Sequence, residues 1–126
     1  MGIVRVQAQM ESLAGTSVSQ VFLVDTGSFY SAISTDLRER LALPPGYPSQ
    51  TMIADGSIVD TEVTLARLRL LDRVGIVPVE VLDTPEPLIG VSALETLGLK
   101  VNPITRELET DRSYGPPPSL QRFRPQ

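Results

Sequence analysis

The sequence predicts an all-β domain with closed or strongly bent sheets, on three observations. Apolar and polar residues alternate along several segments, the period of half-buried strands. Glycine, proline, Asn and Asp break these segments at short intervals. Helical signals are confined to two short stretches. Together they give seven to nine strands and two short helices.

In chain order, Ile3 to Met10 alternates, Leu13-Ala14-Gly15-Thr16 turns, and Val18 to Val24 returns as the hairpin partner. Residues Val21-Phe22-Leu23-Val24 run straight into Asp25-Thr26-Gly27-Ser28, so a buried strand delivers a carboxylate to the point where the backbone turns. A carboxylate there is costly unless hydrogen-bonded or protonated, and the nearby amides and hydroxyls are the groups at hand. Taken alone, the same stretch also reads as an ordinary Asp-capped loop.

Phe29 to Ile33 is a short extended piece. Ser34 or Thr35 caps a helix that stops by Leu43, because Pro44 and Pro45 follow. Residues 44–48 form a rigid connector. Thr51 to Ala54 and Ser57 to Val59 flank Asp55-Gly56, the signature of a two-residue hairpin. Val63 to Leu70 alternates, Asp72-Arg73 turns, and Gly75 to Leu82 is the next strand, where Pro78 indicates an edge position or a bulge. Asp83-Thr84-Pro85 resembles the first Asp-Thr element but has proline where glycine is needed, and reads as a loop. Pro87-Leu88-Ile89-Gly90 follows. Ser92 to Glu95 fits a capping box, with the helix ending at Gly98 and Val91, Leu94 and Leu97 on its core face. Residues 99–101 and 106–109 form a last hairpin. Residues 1–111 are thus one domain, and 112–126 are a Pro- and Arg-containing tail expected to be flexible.

The chain has 126 residues and contains neither cysteine nor histidine. That removes thiol and Ser-His-Asp catalysis and the common zinc sites, and leaves carboxylates, lysine, tyrosine and backbone for any chemistry. No metal or cofactor is expected. A net charge of −4 and the lack of a basic stripe argue against a nucleic-acid partner. No apolar run approaches membrane-spanning length and no signal-peptide core is evident, so a cytoplasmic protein with no membrane partner is expected.

Three motifs stand in order: Val24-Asp25-Thr26-Gly27-Ser28; Met52-Ile53-Ala54-Asp55-Gly56-Ser57; and Leu88-Ile89-Gly90 leading into residues 91–98. In that order they resemble the retropepsin-like aspartic proteases, and Leu97 to Pro103 continues in the manner of bacterial members. The resemblance implies a small retropepsin-type β-barrel that works as an obligate two-fold homodimer on polypeptide substrates. It implies Asp25 as catalytic acid and base, sharing one proton with its symmetry mate. The Thr26 hydroxyl would bridge subunits, Gly27 would let the substrate backbone approach, and Ser28 would hydrogen-bond the outer carboxylate oxygen. Residues 52–57 would be the flap that pairs with an extended peptide. Ile33, Ile53, Ile58, Ile89 and Gly90 would shape the pockets.

Phe29 stands where retroviral enzymes carry an acid, and Val91 where they often carry arginine. The ion pair between loop and helix is therefore missing, and an apolar contact is expected in its place. A non-catalytic dimeric peptide-binding module of the same fold is the alternative; the intact Asp25 to Ser28 motif favours the enzyme.

Overall fold

The computed structural model describes residues 3–111, and the tail expected at 112–126 lies outside the described residues. Nine strands and two helices occur in the described residues. They are β1 (Val4–Glu11), β2 (Ser17–Val24), β3 (Ser31–Ile33), α1 (Thr35–Leu41), β4 (Tyr47–Met52), β5 (Ile58–Leu70), β6 (Arg73–Val81), β7 (Leu88–Ile89), α2 (Val91–Leu97), β8 (Leu99–Asn102) and β9 (Glu107–Thr110).

Seven strands form one sheet in the order β1-β2-β7-β3-β6-β5-β4, and β1 also pairs with β5. That last pairing closes the sheet into a ring, so β1 is paired on both sides and β4 is left as the edge strand. Strand β5 is long enough to serve two neighbours along one edge. Its residues 58–63 pair with β4, and 67–70 pair with β1. The β4–β5 arm therefore projects from the ring. Strands β8 and β9 form a separate pair.

The alternation read from sequence sets the core. Met10, Phe22, Leu68, Leu70, Val77 and Val79 point inward and are fully buried, and α1 adds Leu37 and Leu41. Helix α2 supplies Leu94 and Leu97, as its pattern predicts, while Val91 is only half-buried.

Several local expectations are corrected. The 54–56 turn is not a two-residue hairpin: Ile53 and Ser57 close it, and the amide of Gly56 donates to the Ile53 carbonyl. Positive φ falls on Gly56 alone, at +87°, so the turn spends its glycine on one left-handed residue after two ordinary ones. The β5–β6 turn is made by Leu71 and Asp72, with Leu71 at φ +58°, so β6 starts at Arg73. Residues 47 and 48 of the expected connector belong to β4.

Pro78 makes no bulge, since the β5–β6 register runs unbroken from Glu62–Val81 to Leu70–Arg73. It lies opposite Leu65, one residue before β3 begins to pair on the other side, so no ladder needs its missing N–H. Ser34 caps α1 as expected, accepting from the Leu37 amide. Ser92 does not cap α2; Gly90 occupies that place, and Gly98 closes the helix at φ +66°.

Candidate active site

Asp25 follows directly on β2, and short β7 fixes where it stands. The Asp25 amide donates to the Ile89 carbonyl and the Leu23 amide to that of Pro87, both at 2.9 Å. The chain then turns: Ser28 N–H reaches the Asp25 carbonyl at 3.2 Å, and the Gly27 amide donates to Asp25 Oδ1 at 2.9 Å. Asp25 is half-buried, while Thr26 and Gly27 are exposed. The carboxylate is thus positioned by backbone on both sides.

Ser28 does not bond the carboxylate as expected. Its hydroxyl donates to the Tyr30 carbonyl at 2.7 Å and braces the turn from within. The expected apolar contact between loop and helix is also replaced. Phe29 is 61% exposed, and its ring meets that of Tyr30 edge-on. The link is polar instead: Val91 N–H donates to Ser28 O at 2.8 Å, and both Ser92 N–H and Ser92 Oγ donate to Phe29 O, at 2.9 and 2.6 Å. The opening turn of α2 has amides to spare, and the Asp25 loop supplies the acceptors. Such close approach requires Gly90, where a Cβ would lie 2.4 Å from Tyr30 O.

A cleft of about 610 Å³ opens beside Asp25. Its floor includes Ala32, Leu88 and Glu80, three residues in one cross-strand row, with Ala32 opposite Leu88 on one side and Glu80 on the other. Its far wall is the β4–β5 arm, through Thr51, Met52, Ile53, Ala54 and Asp55. Leu82, Asp83, Thr84 and Pro85 close one end. At the arm's tip Asp55 accepts from the Ser57 amide and hydroxyl, which holds its carboxyl below the usual aspartate range.

Of the residues expected at the site, Asp25, Ser28 and residues 52–55 come together around this cleft, while Thr26, Gly27, Gly56 and Ser57 lie in the same two turns without lining it. Ile33 and Ile89 do not reach it: both are fully buried in the core. Their chain neighbours Ala32 and Leu88 line the cleft, because successive strand residues face opposite sides and the expectation was one residue out of phase. Ile58 is 62% exposed and sits on the arm outside the lining. Gly90 serves the packing of α2 rather than a pocket wall. Glu80 was missed entirely. Its strand reads as apolar, and a single acid within it gives no motif signal.

A carboxylate on a glycine turn, facing a hairpin across a cleft in a chain without histidine or cysteine, is a site for carboxyl acid–base chemistry. Comparison with protein families agrees. The model of a family described as aspartyl protease matches residues 11–93, a span that holds the first two motifs and Leu88-Ile89-Gly90 of the third. The chain belongs to this retropepsin-like family, and protease is the class of activity that follows. No curated protein matched the chain.

Proposed function

We propose that the protein is a homodimeric aspartic endopeptidase that cuts extended polypeptides. The observation that carries this reading is Asp25 itself, held by the Gly27 amide in a cleft walled by the β4–β5 arm, within an aspartyl protease family match. The sequence has one Asp-Thr-Gly, so the second carboxylate comes from a second copy. A two-fold axis beside the exposed Thr26-Gly27 turn brings Asp25 opposite its counterpart. The pair shares a proton, since two like charges so close do not both ionise. One carboxylate takes a proton from water as it attacks the peptide carbonyl; the other donates to the carbonyl oxygen. Residues 52–57 act as the flap, their backbone pairing with the substrate as an added strand.

The test is cleavage of a diverse peptide mixture from acidic to neutral pH, with Asp25→Asn as control. Activity rising with the square of protein concentration at high dilution, and lost in Asp25→Asn, supports a site shared by two copies. A folded dimer that binds peptides and cuts none supports the binding-module alternative.

A further inference from the structure

Glu80 is the one deeply buried carboxylate among the described residues, 5% exposed on the floor of the cleft. Thr61 Oγ1 donates to its Oε2 at 2.8 Å, and Thr51 Oγ1 donates to the same oxygen. Oε1 is left without a donor among the described residues, and no arginine or lysine there pairs with Glu80. A buried carboxylate favours a cation or a full set of donors; here two hydroxyls satisfy Oε2, while Oε1 keeps solvent access and stays open to a ligand.

The surroundings fit one kind of cation. Among the described residues the cleft is lined by four acids, Asp25, Asp55, Glu80 and Asp83, and by no basic residue. Ala32, beside Glu80 in the row, is small enough to leave depth, and Leu82 and Leu88 offer apolar walls. A long side chain with an aliphatic stem and a charged tip matches both features. A metal ion fits less well, because among the described residues no three potential ligands gather into a binding group.

We infer that Glu80 selects substrates carrying lysine or arginine in the subsite over Ala32, with the basic tip bonded to Oε1. The inference rests on the protease reading, and names the substrate class for that site. Glu80 is a specificity residue here, not a member of the catalytic pair. Acidic side chains at the same position are rejected by the four carboxylates.

A peptide library in which each position around the cleavage site is varied through Lys, Arg, Gln, Met and Glu tests this. Wild type is expected to favour Lys or Arg over Gln at one position by about tenfold or more in kcat/KM, the size of a charge-assisted bond. Glu80→Gln keeps the shape and an acceptor for the threonines, and should bring that ratio close to one; thermal unfolding checks that it folds. A flat wild-type profile, which needs no variant, overturns the inference. So does a Glu80→Gln enzyme that slows on all peptides alike with the Lys/Gln ratio intact, since that marks a structural role alone. If folded wild type cuts nothing, the protease reading fails, and fluorescence polarisation of the same labelled peptides decides this point separately. Tighter binding of Lys than Gln peptides by about tenfold sustains it, and equal binding overturns it.

Discussion

Asp25 and Glu80 line the same cleft and are held there by opposite means. Asp25 stands at a strand end, half-buried, and its surroundings are backbone: two carbonyls of the β7 segment grip β2, and the Gly27 amide meets the carboxylate. Glu80 stands inside β6, buried, and its bonds come from two hydroxyls on the strands of the arm. A backbone cradle persists whatever side chains surround it, so it suits chemistry shared across a family. A side-chain cradle can be rewritten by single substitutions, which suits selection among substrates.

The sharpest way to separate the two is to neutralise the first. Asp25→Asn should lower kcat/KM by about 10³-fold or more, since acid–base catalysis is lost, and leave the melting temperature little changed because the Gly27 amide still finds an oxygen. Peptide cleavage and calorimetry on one preparation check both halves. A large loss of stability would show that the carboxylate braces the loop.

Breaking the backbone cradle should cost folding instead. Gly90→Ala puts a Cβ 2.4 Å from Tyr30 O and should destabilise the protein by about 1–3 kcal/mol or more in urea unfolding. Gly56→Ala meets nothing within 4 Å and suffers only from its φ of +87°, about 1 kcal/mol. Equal losses would mean that the tight approach of α2 to the loop relaxes easily.

The side-chain cradle is probed by Thr61→Val, which keeps shape and removes a donor from a buried carboxylate. A loss of about 1–2 kcal/mol is expected. The decisive readout is the Lys/Gln cleavage ratio, which should shift with Thr61→Val and not with Ser92→Ala, a change confined to the backbone side.

The smallest effect is a pH dependence remote from the cleft. Arg67 donates to Glu11 at 2.8 Å and lowers its carboxyl below the usual value of 4.5. The folded state then binds fewer protons than the unfolded chain across that window. The stabilisation is fully present above about 4.5 and is lost as pH falls through the lower folded value. Melting curves of wild type and Glu11→Gln should therefore differ at neutral pH and converge in acid.

The sequence by itself determined the strands, because alternation and turn residues are local. Val18 to Val24 could only be a strand that ends on Asp25, and proline at 44 and 45 could only end α1. Asp25 was legible as the candidate for the same reason, since it sits in a contiguous motif. Tertiary structure decided the rest. The β1–β5 pairing that closes the ring joins residues far apart in sequence, and no local pattern records it. Which face of β3 and β7 meets the cleft turned on register, and a slip of one residue exchanged Ile33 and Ile89 for Ala32 and Leu88. Glu80 gained its place only when Thr51 and Thr61, from two other strands, were folded over it.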